Sequence, residues 1–146
     1  MNSPTAVIDT NVVVAGLLTA EAESPTVRIL DGMRRGAFPF LLSTALLAEY
    51  REVLMRPKIR KVHGLSEREI DLLLTEIATH AIVREPEATA GAPDPRDNHL
   101  WALVLGMSGS ALVTGDLALA RTPPPGSRVL SAREFVEALP GAQRRG

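Results

Sequence analysis

Five short apolar runs, separated by stretches that carry helix signals, constrain this sequence more than any other feature. They are Ala6–Ile8, Phe38–Leu42, Ala81–Arg84, Ala111–Thr114 and Arg128–Leu130. Between the first two, Ser24-Pro25 offers an N-cap followed by proline at the first helical position, with Gly36 as a stop. Ser43 precedes Leu46, Leu47, Tyr50, Val53 and Leu54, an apolar stripe at helical spacing that ends near Pro57. Ser66 with Glu69, and Ser131 with Glu134, match the capping box, in which side chain and backbone satisfy each other across one turn. Asp94-Pro95-Arg96-Asp97 opens a further helix, and the almost wholly apolar stretch Leu100–Met107 predicts that this helix is buried. Short apolar strands alternating with helices predict an α/β fold: a parallel sheet with helices on both faces.

The chain has 146 residues, the size of one domain, and can bury about two-thirds of its unfolded surface without a covalent staple. It has no Cys, which excludes disulfides, thiolate zinc sites and Cys nucleophiles together. A net charge of −1 exerts no global pull on nucleic acid or membrane, so any such binding must use a local patch. No leader pattern and no apolar run of about 20 residues is present. These features predict a cytoplasmic domain over residues 1–140, with no membrane contact and with 141–146 as a flexible basic tail.

Four acids occupy telling places. Ligands of open α/β sheets bind beyond the carboxyl ends of the strands, near the point where strand order reverses. Asp9 directly follows the first apolar run, and Asp116, in Thr114-Gly115-Asp116, follows the fourth. Asp97 opens the helix that leads into the fourth run. At 100° per residue Glu49 falls on the edge of the Leu46–Leu54 stripe, turned partly inward, whereas Glu52 lies nearly opposite. Each has an ordinary reading when taken singly: Asp9 as a helix cap, Asp94 as an N-cap, Asp97 in a capping box, Asp116 in a turn, and Glu49 reaching to water. Jointly they predict one cleft lined by carboxylates. Two carboxylates about 4 Å apart repel by roughly 4 kcal/mol at an effective dielectric of 20, so such a cluster persists by binding protons or cations. All-oxygen ligation selects Mg²⁺ or Mn²⁺, and the chemistry typical of one or two such ions is phosphodiester hydrolysis. The same repulsion predicts that Asp9→Asn abolishes activity and stabilises the metal-free chain.

These residues also resemble a known family. Val7-Ile8-Asp9-Thr10-Asn11-Val12, Ser43 through Glu49, Asp94-Pro95-Arg96-Asp97-Asn98 and Val113-Thr114-Gly115-Asp116 look like the successive motifs of PIN-domain ribonucleases. The likeness is strongest to the VapC-like toxin components of bacterial toxin–antitoxin pairs, and it spans roughly residues 6 to 136. It implies a single PIN-like domain with a five-stranded parallel sheet, and endonucleolytic cleavage of RNA dependent on Mg²⁺ or Mn²⁺. By position it makes Asp9, Glu49, Asp97 and Asp116 the catalytic metal-site acids. It sets Asn11, Ser43 and Thr114 beside them as orienting groups and Asp94 behind them as support. It further implies a small antitoxin partner and a homodimer. One position departs from the family pattern: where a further acid often follows two residues after the last aspartate, this chain has Ala118.

An acidic cleft needs cations nearby to hold RNA, because phosphate contacts supply most sequence-independent affinity. The richest source is Arg56-Pro57-Lys58-Ile59-Arg60-Lys61, with Arg51 a turn earlier and Arg96 elsewhere. One Trp, one Tyr and three Phe are too few for an aromatic stacking platform, and Trp101 reads as core. His99 reads as a helix-surface or core residue. Two alternatives remain open at this level. A haloacid-dehalogenase-type phosphatase would use Asp9 as a nucleophile, although Asn11 stands where its general acid is expected. A degenerate PIN module would bind RNA or a partner without cutting.

Overall fold

The computed structural model describes residues 4–140; the 141–146 tail expectation lies outside them. Five strands form one sheet: β1 (Ala6–Ile8), β2 (Phe40–Leu42), β3 (Ile82–Val83), β4 (Ala111–Val113) and β5 (Arg128–Leu130). All pairings are parallel, in the order β3-β2-β1-β4-β5. Val7 lies opposite Leu41 on one side and Leu112 on the other. Every residue of β1, β2 and β4 is buried, as a parallel sheet covered on both faces requires.

Among the described residues eight helices surround the sheet: α1 (Thr10–Leu18), α2 (Pro25–Arg35), α3 (Thr44–Leu54), α4 (Pro57–His63), α5 (Glu67–His80), α6 (Asn98–Leu105), α7 (Leu117–Arg121) and α8 (Ala132–Ala138). A single 3₁₀ turn, Pro95–Asp97, precedes α6. Both capping boxes form as expected, at Ser66 and Ser131. Gly36 ends α2 at φ +68°, where a Cβ would meet His80 Nδ1 at 2.7 Å. Gly16 brings α1 against α2 so closely that a Cβ there would stand 2.6 Å from the Thr26 carbonyl.

The strand and helix limits differ from the sequence expectation for identifiable reasons. Pro39 has no N–H for a ladder, so β2 begins at Phe40, two residues later than the expected Phe38, while the Pro39 carbonyl still accepts from Ala6 N. Ala81 is spent capping α5. Thr114 leaves the strand end and turns its hydroxyl to Asp9. The stripe expected to end near Pro57 stops at Leu54, and Pro57 instead starts α4 at its first position. The helix opened at residues 94–97 runs as a 3₁₀ turn and then α6, Asn98–Leu105, with residues 100–104 buried as expected; it stops ahead of Gly106, so Met107 lies beyond it. Ser24 makes no backbone cap; its hydroxyl pairs with that of Thr26 at 3.1 Å.

β1 is central, and strand order reverses between it and β4. The carboxyl ends of these two strands therefore flank the crevice where ligands of such sheets sit. Tyr50, fully buried on α3, donates its hydroxyl to the Ile8 carbonyl and locks α3 beneath that end.

Candidate active site

Asp9 follows β1 and caps α1, its Oδ1 accepting from Thr10 N at 2.7 Å. The residue is only 6% exposed. Its Oδ2 accepts from Thr114 Oγ1 at 2.7 Å and from Asn11 Nδ2 at 3.2 Å. The Thr114 hydroxyl in turn accepts from Asp116 N at 3.0 Å and from Asn11 Nδ2 at 3.3 Å. Asn11 Oδ1 accepts from Gly115 N at 3.1 Å. One carboxylate, one amide and one hydroxyl thus tie the loop after β1 to the loop after β4. Burial nonetheless raises the Asp9 pKa; the Thr114 and Thr10 hydrogen bonds oppose this, while the charges of Glu49 and Asp116 add to it.

Glu49 reaches the same place from α3. It accepts from Thr10 Oγ1 and lies 3.2 Å from His99 Nε2 on α6. The His99 hydrogen bond holds its carboxyl below the usual range against the opposing effect of burial, with help from Thr10 and from the His99 and Arg56 charges. His99 is raised in exchange, first by that same bond.

Asp97 closes the 3₁₀ turn. Among the described residues its carboxylate receives no hydrogen bond, and the turn uses only its backbone N–H, donated to the Asp94 carbonyl. Its pKa is pushed up to about 6, first by desolvation and then by the charges of Asp9, Asp94, Glu49 and Asp116. Asp116 caps α7 through Ala118 N at 2.8 Å. Asp9, Asp97 and Asp116 line one open cleft, with Thr10 and Asn11 at its base and Val14 and Val53 on its sides. The four acids come from four separate elements to one end of the sheet.

The donor set suits a hard cation: carboxylate oxygens, no Cys, and an excess of negative charge that a cation would relieve. Asp97 bears on this directly, because its carboxylate faces four other acids with no donor among the described residues. No three His or acidic side chains among the described residues are gathered to grip an ion as they stand. Asp97 and Asp116 carry at most one hydrogen bond each on their carboxylates, so they are the side chains free to turn toward the fixed Asp9.

The remaining expected residues fall in several places. Asn11 and Thr114 stand against Asp9, as described. Asp94 caps the 3₁₀ turn and grips Arg96 at 2.8 Å, the ordinary role, while its charge still acts on Asp97. Ser43 caps α3 through Leu46 N and, among the described hydrogen bonds, touches no carboxylate. Arg51 pairs with Glu67 at 2.7 Å and Asp71 at 2.8 Å on the surface, tying α3 to α5. Arg96 is likewise paired, with Asp94. Arg56 makes only a 3.5 Å contact with Glu52, and its charge reaches Glu49. Lys58, Arg60 and Lys61 lie on α4 without an ion pair among the described residues.

The sequence reading missed two contributors. Thr10 and His99 hold Glu49 between them, although His99 reads as core or surface from sequence. The available signal was position: His99 follows Asp97 by two residues at a helix start, and Thr10 sits between two site residues.

A PIN-domain family model matches residues 5–118. The chain belongs to the PIN domain family. A chain in the crystal structure of VapBC2 from Rickettsia felis, bound to a DNA fragment from their promoter, is similar to it with a TM-score of 0.57 and 12% sequence identity, over 87% of this chain and 98% of that one. The PIN domain of RRP44 from T. brucei gives a TM-score of 0.49 at 12% identity, over 92% and 79%. Identities this low show a shared fold. No curated protein sequence matches.

Proposed function

We propose that this PIN domain is a metal-dependent endoribonuclease that hydrolyses RNA phosphodiesters, and that it serves as the toxin of a toxin–antitoxin pair. What supports the nuclease reading is that Asp9, Asp97 and Asp116 line one cleft at the carboxyl ends of β1 and β4, with Glu49 near enough for its charge to act on Asp9 and Asp97. Those four carboxylates would hold Mg²⁺ or Mn²⁺, one ion or two. When bound, the ion supplies Lewis acidity toward phosphate and water.

The protein's own part is positional. Thr10, Asn11 and Thr114 hold Asp9 at one orientation, so the buried carboxylate serves as the fixed anchor of the site. Thr10 and His99 fix Glu49 from two sides. Asp97 and Asp116 have the freedom to close. In this reading water is the nucleophile: its oxygen bonds to phosphorus as a bridging P–O bond breaks, the water gives up a proton and the leaving oxygen takes one up. The cations of α4, together with Arg56 just before it, whose charge reaches Glu49, bind the RNA backbone.

A small antitoxin protein and a homodimer accompany this reading, as does a cytoplasmic location. Among the described residues no helix is long and apolar enough to cross a membrane. The test is cleavage of structured RNAs by the purified protein with Mn²⁺, Mg²⁺ or chelator. Cutting should require the ion and fall at least about a hundredfold in Asp9→Asn, the scale of several kcal/mol in the barrier. RNA bound but uncut at every metal concentration would instead identify a binding module, with Ala118 as its mark.

A further inference from the structure

Behind His99 lies a second cavity, of about 230 Å³, between the start of α3, residues 85–89 and the start of α6. Its walls are apolar, from Ala45, Pro86 and Ala102, and no Lys or Arg lines it. The one carboxylate at its edge, Glu85, is already committed to Thr44 N and Thr44 Oγ1, at 2.7 and 2.6 Å. The one basic group on its wall, His99, is turned to Glu49. The remaining polar side chains, Ser43, Thr89 and Asn98, are neutral. Asn98 Oδ1 accepts from Ala92 N at 3.1 Å, which leaves its amide N–H groups without a partner among the described residues.

The imidazole of His99 links the two sites. It lines this cavity, and its Nε2 lies 3.2 Å from Glu49, whose charge acts on Asp9 and Asp97 of the carboxylate cleft. Helix α3 sets the spacing between the two sites. Ala45, Glu49 and Val53 recur at i, i+4 and i+8 along one face. Ala45 lines the cavity and Val53 lines the cleft. At 1.5 Å per residue, Ala45 stands about 6 Å from Glu49 along the axis. A strand with its phosphate over Glu49 therefore brings a neighbouring base over Ala45.

All five aromatic side chains of the chain are buried: Phe38, Phe40, Tyr50, Trp101 and Phe135. None of these five rings offers an open face to stack a base, which leaves the cavity walled by the His99 imidazole, beside the cleft, as the place for base contact. We infer that this cavity is a subsite for one nucleobase of the RNA strand, flanking the scissile phosphate, and that it gives the enzyme a nucleotide preference at that position. The inference rests on the nuclease reading.

The test is equilibrium binding of short labelled RNAs in calcium, with a single abasic ribose moved along the strand, for the native chain and for Ala45→Trp and Ala88→Trp. Both replaced residues are exposed, and either ring would fill the cavity from its rim. The native chain should lose affinity about tenfold at one abasic position, within the range for one base contact. Both variants should bind intact and abasic strands alike. A flat abasic scan on RNA that binds well would overturn the subsite while leaving the nuclease reading intact, and would free the cavity for a side chain of a protein partner. A position preference that survives both tryptophans would also overturn it. Failure of every RNA to bind would sink both.

Discussion

Asp97→Asn should stabilise the metal-free protein and destabilise the metal-loaded one. The Asp97 carboxyl is pushed from an ordinary value of 3.8 to about 6, so the folded state holds its proton more tightly than the unfolded chain. Its favourable contribution is complete below pH 3.8 and is lost as pH rises through 6. Above that, the ionised carboxylate opposes folding. At about 1.36 kcal/mol per pH unit the unscreened cost would be about 3 kcal/mol. Asp97 is partly open to water, and screening reduces this to about 1 kcal/mol. Asparagine removes the charge and keeps the shape, so at pH 7.5 in chelator the variant should melt about 3 °C higher. The gain should shrink at pH 5 and vanish near pH 4, where native Asp97 is protonated. Saturating Mn²⁺ should reverse the order, because an ion at a hundred times its Kd adds about 2.7 kcal/mol to the protein that binds it. Thermal melts of both proteins across pH, with chelator and with Mn²⁺, supply every comparison. A variant that melts below the native protein in chelator at pH 7.5, or that gains as much from Mn²⁺, would refute the reasoning.

Thr114→Val removes a donor from the buried Asp9 and an acceptor from Asp116 N; it should cost about 1–3 kcal/mol in a urea melt and weaken Mn²⁺ binding about 10- to 100-fold by titration calorimetry. Removing Lys58, Arg60 and Lys61 together should lower the salt slope of RNA binding by about 2, at roughly 0.7 per phosphate contact on single strands. Arg51→Ala, whose guanidinium is held by Glu67 and Asp71, should leave that slope unchanged; a drop equal to that of a single α4 cation would contradict the pairing. Gly16→Ala pushes a methyl against the Thr26 carbonyl, and the resulting separation of α1 from α2 should cost about 1–3 kcal/mol in the same urea assay.

What could be read from the sequence was whatever depends on local context. Asp9 stood out because apolar residues precede it, and burial there demands a partner. The capping boxes at Ser66 and Ser131 are four-residue patterns with a local mechanism, and they formed. The fold class followed from alternation alone. What depends on a distant partner was not legible. His99 meets Glu49 across 50 residues of sequence, and nothing local to a lone histidine at a helix start reveals that. Arg51 sits a turn before a basic run and so read as part of it; only the packing of α3 on α5 shows its two acids. The strain at the site is shared: burial and the charges of Glu49 and Asp116 raise Asp9 in spite of three donors, and Asp97, with no donor among the described residues, is pushed up to about 6, which no local pattern reveals.

The account stands on four carboxylates acting as one cation basin. Anomalous diffraction from a crystal soaked in Mn²⁺ examines that basin with no assumption about RNA. A manganese peak should appear with oxygens of Asp9, Asp97 and Asp116 within about 2.3 Å, on the scale of hard-cation ligation, and with Asp97 turned from its metal-free rotamer. Density confined to the protein surface, with Asp97 and Asp116 still apart at millimolar Mn²⁺, would contradict it.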